Sequence, residues 1–259
     1  MSTMLGLTVT DGVATLTLDR PPVNAFNAAL FAAFAGALDT LAARGDWCVL
    51  HIRSALSAFS AGADLTEISA RLARQNAREA AVATTRPLQQ LCQRISDLPQ
   101  VSLAEIAGAA VGGGFELALG CDLRIAANEA RIGLPEAGLG LLPGGGGTQR
   151  LTWLAGAATA ARIILAADVV DGKTARELGM VQWAVPRPQL ADEARKIATR
   201  VAGLSPLSLA ACKVCMRLAG EPERDGFAAE TDWSGRLMAT EDTQRRVAAF
   251  LAGVRPARG

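Results

Sequence analysis

Two runs of consecutive glycine, Gly112-Gly113-Gly114 and Gly144-Gly145-Gly146-Gly147, limit what this chain can fold into. Each reads as a turn whose bare backbone lies open to close approach by another group, and neither suits the interior of a regular element. A glutamate stands near each run. Glu116 follows the first in Ala110-Val111-Gly112-Gly113-Gly114-Phe115-Glu116-Leu117-Ala118, and Glu136 precedes the second in Gly133-Leu134-Pro135-Glu136-Ala137-Gly138. They are too far apart in sequence to share one helix face, so only tertiary folding can join them. Ala58-Phe59-Ser60-Ala61-Gly62-Ala63-Asp64-Leu65 supplies a third turn of small residues.

Between the turns, strand and helix patterns alternate. Leu7 to Thr10 and Val13 to Leu18 flank Asp11-Gly12, a strong two-residue hairpin signal, and Ala14, Leu16 and Leu18 alternate with threonines. Asn27 is placed to cap a helix in which Leu30, Phe34, Leu38 and Leu41 recur at helical spacing. Cys48 to Ile52 reads as a buried strand, Leu65 to Leu98 as helix and Val101 to Ile106 as a further strand. A helix follows through Leu119. Leu123 to Ala126 and Ala130 to Gly133 are short strand candidates, and Thr148 to Leu154 and Ala160 to Ala166 read as helical. This alternation predicts an α/β core. After Pro186 the pattern becomes all helical, at residues 190–202, 206–218, 227–238 and 241–251, so the expected division is a core over 1–189 and a helical region over 190–259.

Composition narrows the function classes. With 259 residues, half of them hydrophobic, the chain can bury a sizeable core. Lys+Arg 26 against Asp+Glu 25 leave a formal charge of +1, so no global field favours nucleic acid, and no basic run suggests a membrane surface. No signal-peptide, transit-peptide or transmembrane pattern is present, and a cytoplasmic location is the expectation. Five scattered cysteines fit a reducing compartment, with Cys212-Lys213-Val214-Cys215 read as buried helix packing. The single histidine, His51, sits in an apolar strand and reads as structural, which disfavours histidine-based triads and histidine-ligated metals.

A glycine run that opens a helix presents unpaired N–H groups and the positive end of the helix dipole, a setting for an anion. The spacing fits neither a Walker loop nor a dinucleotide fingerprint, which favours an oxyanion hole over a phosphate cradle. Glu116, in the first turn after the glycines, is expected to be held ionised by the dipole and local amides. If Glu136 is partly desolvated its pKa moves up, and the pair divides acid and base work. Taken singly, each glutamate reads as an ordinary surface carboxylate.

In order along the chain, these segments resemble the crotonase (enoyl-CoA hydratase/isomerase) superfamily, and within it enoyl-CoA hydratase. Leu18-Asp19-Arg20-Pro21-Pro22-Val23-Asn24-Ala25 is similar to the family's N-terminal signature, and Phe59 to Leu65 to its first oxyanion loop. Gly112 to Ala118 resembles the second loop with its catalytic helix, and Pro135-Glu136 followed by Pro143 to Leu151 the second catalytic segment. Ala175 to Val181 and Thr240-Glu241-Asp242 resemble later landmarks.

The resemblance implies a spiral of ββα turns followed by a C-terminal helical trimerisation region, giving a homotrimer or homohexamer. It implies an oxyanion hole from the N–H groups of Ala63 and Gly113, with Glu116 activating water for attack at C3 and Glu136 protonating C2 of a 2-enoyl-CoA. Ala25, Ala61, Asp64, Leu65, Phe250 and Arg255 are the implied contacts to the acyl-CoA substrate, which carries the coenzyme A; no resident cofactor and no metal are implied. Thr66 and Gly253 stand where relatives carry lysines, leaving Arg255 as the nearest cation. A Δ3-Δ2 isomerase, an acyl-CoA hydrolase and a non-catalytic binding member are the alternatives the same frame accommodates.

Overall fold

The computed structural model describes residues 4–64, 66–67, 77–219 and 225–252, apart from the side chains of 77–84, 226, 248, 250 and 251. Residues 1–3, Leu65, 68–76, 220–224 and the tail from 253, Arg255 included, lie outside the described residues.

The Asp11-Gly12 turn has positive φ at both positions, 51° and 75°, and joins β1 (Leu5–Thr10) to β2 (Val13–Leu18) as an antiparallel hairpin. The alternation read in β2 is the burial pattern observed, with Ala14, Leu16 and Leu18 inside. α1 (Ala28–Ala42) begins where Asn27 accepts a bond from the Leu30 N–H at 2.9 Å, and it buries Leu30, Phe34, Leu38 and Leu41. Each such side chain contributes about 1.5–3 kcal/mol on burial.

β2 then pairs in parallel with β3 (Val49–Ser54), and β3 with β4 (Val101–Ile106). From there the chain winds by repetition. Strand β4 enters the large sheet and β5 (Ala110–Val111) a small one; after the helix Gly113–Leu119, β6 (Leu123–Ala127) returns to the large sheet and β7 (Arg131–Gly133) to the small one. β8 (Val169–Asp171) and β9 (Trp183–Val185) repeat the division. The large sheet runs β1-β2-β3-β4-β6-β9 and the small one β5-β7-β8, so the expected α/β spiral is the observed architecture. The helices between are α2 (Ala77–Ser96), α3 (Gly113–Leu119), α4 (Gly147–Leu165) and α5 (Gly172–Glu177). Then come α6 (Arg187–Ala202), α7 (Pro206–Leu218), α8 (Gly226–Met238) and α9 (Glu241–Leu251).

Several elements differ from the sequence reading. The two-residue β5, the three-residue β8 and β9, and the six-residue helix Gly172–Glu177 carry too few residues for a periodic signal; sheet pairing defines the three strands. α4 contains both helical stretches read from the sequence, joined across a break at Gly156, which holds φ 79°. Cys212 is exposed and Cys215 half-buried on α7, so packing does not account for that pair as expected. His51 is buried 2.9 Å from the Glu105 carboxylate, although the two atoms are poorly aligned for a hydrogen bond.

The largest fully buried side chain, Arg124 on β6, drew no attention in the sequence. Its guanidinium donates to the carbonyls of Met180 at 3.1 Å, Ala118 at 3.2 Å and Asp122 at 3.3 Å, and also to Cys121 O. A cation therefore closes the C-terminal end of α3, where carbonyls lack helical partners. Arg124→Met is expected to lower the unfolding free energy by about 2–3 kcal/mol, since several buried carbonyls lose their donor. Urea denaturation checks this; a change within experimental error would show that those carbonyls find other donors.

Candidate active site

The small sheet brings the two glutamates together. β5 and β7 are parallel neighbours, Ala110 opposite Ile132 and Val111 opposite Gly133, and Gly112 N–H donates to Gly133 O at 3.0 Å. Their C-terminal ends therefore emerge side by side, one into α3 with Glu116 and the other into a 3-10 turn, Pro135–Leu139, with Glu136. A Cβ on Gly112, which holds φ 55°, would come 3.1 Å from Glu136 Oε1, so the second glutamate lies over the first glycine run.

Ala63 and Gly113 are brought together by backbone contact. Phe26 forms a parallel bridge to Ala63 through Phe26 N–H to Gly62 O, 2.7 Å, and Asp64 N–H to Phe26 O, 3.1 Å. In that pattern the bonds go to the flanking residues, and the N–H of Ala63 itself points away from Phe26. Gly113 opens α3, so its N–H has no helical acceptor. The two segments touch at Gly62, whose φ is +86° and where a Cβ would lie 2.9 Å from Gly113 N and 2.8 Å from Val111 O. Any side chain there would push the two amides apart. Gly114 is equally constrained, since a Cβ would sit 2.2 Å from Ser60 O.

A polar frame behind this loop was missed in the sequence, although its residues lie largely in the N-terminal signature and the first oxyanion loop. Buried Asn24 donates from Nδ2 to Ser54 Oγ, Ala58 O and Phe59 O at 2.8, 3.2 and 3.0 Å. Ser60 Oγ donates to Asn24 O at 2.8 Å. Arg20 reaches Ala25 O at 2.8 Å and Asp64 at 2.9 Å, and this donation holds the Asp64 carboxyl below its usual range. Of the expected substrate contacts, Ala25, Ala61 and Asp64 thus gather around Arg20 and the Ala63 loop, with Ala61 N–H bonded to Val23 O at 2.9 Å. Phe250 lies in α9, its side chain outside the description, and Leu65 and Arg255 fall outside the described residues.

The electrostatics of Glu116 correct the sequence reading. It is only 2% exposed, and its pKa is pushed up to about 7 rather than held down. Burial is the largest cause, and the charge of Glu136 adds to it. The Gly147 N–H, 2.8 Å from Oε1, the Gly145 amide and the Arg150 guanidinium oppose the rise without cancelling it. One short helix and a few amides are outweighed by desolvation of a buried carboxylate. Glu136 is half-buried, and burial also raises its pKa, as expected from partial desolvation. Its Oε2 is buried without a hydrogen-bond partner among the described residues. Leu88 completes the apolar wall, since side chains at Gly113 or Gly145 would meet it at 3.0 and 2.6 Å.

The folded state holds the Glu116 proton more tightly than the unfolded chain. The stability this group contributes is therefore full below about pH 4.5 and is lost as pH rises through about 7. Glu116→Gln, which keeps shape and acceptor oxygen, is expected to stabilise the protein by roughly 1–3 kcal/mol at pH 8 and by little at pH 4. Urea unfolding at both pH values measures the difference, and an equal effect at both would contradict the assignment.

Comparison with known proteins agrees with this geometry. The family model described as enoyl-CoA hydratase/isomerase matches residues 8–256. A probable enoyl-CoA hydratase of Bacillus subtilis is 33% identical over 254 residues, covering 97% of each chain. The 2,3-dehydroadipyl-CoA hydratase of Escherichia coli is 36% identical over 241 residues, covering 92% of each. Among solved structures, Pseudomonas aeruginosa DspI superimposes with a TM-score of 0.90 at 32% identity, over 99% of this chain and 97% of that one. An enoyl-CoA hydratase structure from Geobacillus kaustophilus gives a TM-score of 0.90 at 30% identity, over 99% and 96%. With matched motifs, strand order and near full-length coverage in agreement, the chain belongs to the enoyl-CoA hydratase/isomerase, or crotonase, family.

Proposed function

We propose that this chain is an enoyl-CoA hydratase, adding water syn across the C2=C3 bond of a 2-enoyl-CoA thioester in fatty acid or related acyl-CoA catabolism. The observation that carries the reading is a buried carboxyl group, Glu116, and a half-buried one, Glu136, in unlike surroundings beside the N–H groups of Ala63 and Gly113, which have no acceptor among the described residues. Glu116 accepts a bond from Gly147 N–H, which favours its ionised form, whereas the unpartnered Glu136 Oε2 favours a proton. The thioester is common to the substrates named for the Escherichia coli relative and for a crotonyl-CoA hydratase of Syntrophomonas wolfei, 36% identical over 194 residues.

In this mechanism the thioester oxygen lies between the N–H groups of Ala63 and Gly113. As water attacks C3, negative charge moves onto that oxygen, and fixed amides stabilise the enolate by about 3 kcal/mol per donor. Glu116 takes a proton from the attacking water, and Glu136 delivers one to C2. With both carboxyls at one end of the small sheet, hydroxyl and proton reach the same face of the double bond. Raised pKa values suit both tasks, because a base titrating near the working pH still accepts a proton and an acid of raised pKa still holds one.

Crotonyl-CoA hydration, followed by loss of enoyl absorbance, tests the reading. Glu116→Ala and Glu136→Ala should each lower kcat by roughly 10²–10⁴-fold. Unchanged activity in either variant would rule out the two-carboxylate mechanism. Below about pH 7 Glu116 gains a proton and can no longer act as base, so kcat/KM should fall on the acid side with an apparent pKa near 7. A flat profile from pH 5 to 8 would argue against Glu116 as the base.

The reading extends to a cytoplasmic homotrimer or homohexamer. Its support is the apolar surface left on the C-terminal segments, where Leu204, Leu207, Met216, Phe227 and Met238 are exposed in the single chain. Light scattering should give a mass three or six times that of the chain, and a monomer at assay concentration would exclude this assembly.

A further inference from the structure

The second glycine run is gripped from outside the site by side chains that the proposed chemistry does not use. Gln89 and Gln93, one turn apart on α2, face it together. Gln89 Nε2 donates to Gly144 O at 2.7 Å. Gln93 acts through Arg150 on α4: Arg150 Nη2 donates to Gln93 Oε1 at 3.0 Å, and its Nη1 donates to Gly145 O at 3.2 Å. The Gln93 amide is oriented by Asp97, which accepts from Nε2 at 3.0 Å and is itself paired with Arg217 on α7 at 2.6 Å. The Arg150 guanidinium lies close against Gly146, where a Cβ would meet Nη1 at 2.1 Å.

We propose that Arg150, braced by Gln93 and assisted by Gln89, is a positioning residue for the hydratase reaction. It holds the Gly144–Gly147 turn so that Gly147 N–H fixes the Glu116 carboxylate toward the substrate water. The inference rests on the hydratase reading above for its consequence in catalysis, but the structural link does not require it. Gly147 N–H reaches Glu116 only while the turn keeps its shape, and four glycines in succession have little stiffness of their own. Of the turn's carbonyls, Gly144 O is therefore tied to α2 directly and Gly145 O through Arg150 and Gln93. Glu116 also faces Glu136 from the 3-10 turn, Cys92 from α2 and the Arg150 charge from α4, so Arg150 acts on it both through the turn and through its field.

The test pairs kinetics with a direct titration of Glu116. In Arg150→Met, kcat for crotonyl-CoA is expected to fall roughly 10–100-fold while KM changes less, because a small displacement of the base affects the attack more than binding. Losing the guanidinium also removes a positive charge that lowers the Glu116 pKa, so the acid limb of kcat/KM should move to higher pH. Arg150→Lys should bring that limb back toward wild type while recovering only part of kcat, because an ammonium cannot span Gly145 O and Gln93 as the planar fork does. Carbon-13 NMR of glutamate-labelled protein, with the Glu116 resonance assigned by Glu116→Gln, should show the same pKa movement without substrate.

An unmoved Glu116 titration and acid limb in Arg150→Met, or a loss confined to KM or to thermal stability, would overturn the positioning role. Should Arg150→Met fail to fold, Gln93→Met removes the brace alone and should give a smaller fall in kcat at unchanged KM; no fall would equally overturn it. If the wild-type protein hydrates no 2-enoyl-CoA, the functional reading fails, and the NMR titration still decides the link between Arg150 and Glu116.

Discussion

The parallel pairing of β5 with β7 is the contact on which the rest of the site depends. Only four residues take part, but the pairing places the ends of two strands side by side and aims the following turns the same way. One turn becomes the start of α3 with Gly113 and Glu116, and the other carries Glu136. A one-residue slip would flip the side chains of a strand and carry one glutamate away from the other. The winding of the chain, which sends alternate strands to the large and small sheets, keeps these short strands in register by anchoring β4 and β6 in the larger core.

Around that pairing, bare backbone is used where two segments must nearly touch. Gly62 against Gly113 and Gly114 against Ser60 are separations too small for a Cβ, and Gly112, at positive φ, lies close beneath Glu136. Glycine is entropically costly in such places, and the polar frame of buried Asn24 and Ser60 with half-buried Arg20 offsets part of the cost by tying the loops with side-chain hydrogen bonds. The C-terminal end of α3 is held in the same manner by Arg124. Burial of the Glu116 carboxyl costs stability once it is ionised, and this is what raises its pKa to about 7.

Much of the fold was legible. Asp11-Gly12 demands a hairpin, the spacing of Leu30, Phe34, Leu38 and Leu41 demands a helix, and strands alternating with helices indicate an α/β core. The short β5, β8 and β9 were not legible, because two or three residues acquire strand character only through their neighbours. In the site, the glycine runs and both glutamates stood out through order and spacing. Arg150, Gln89 and Gln93 did not, since nothing local separates an arginine or glutamine on a helix from a solvated one.

The sequence by itself determined the α/β class, the order of the turns and the residue types available for acid–base and oxyanion work, because these follow from local periodicity and from the chemistry of glycine and glutamate. Tertiary structure alone decided that Glu116 lies beside Glu136, that Ala63 and Gly113 direct their amides from adjoining segments, and that Glu116 titrates near 7. The physical reason is that a pKa and a hydrogen-bond partner are set by what surrounds a group in space. At Glu116 the desolvation imposed by segments distant in sequence outweighs the local helix dipole that a reading of the chain can see.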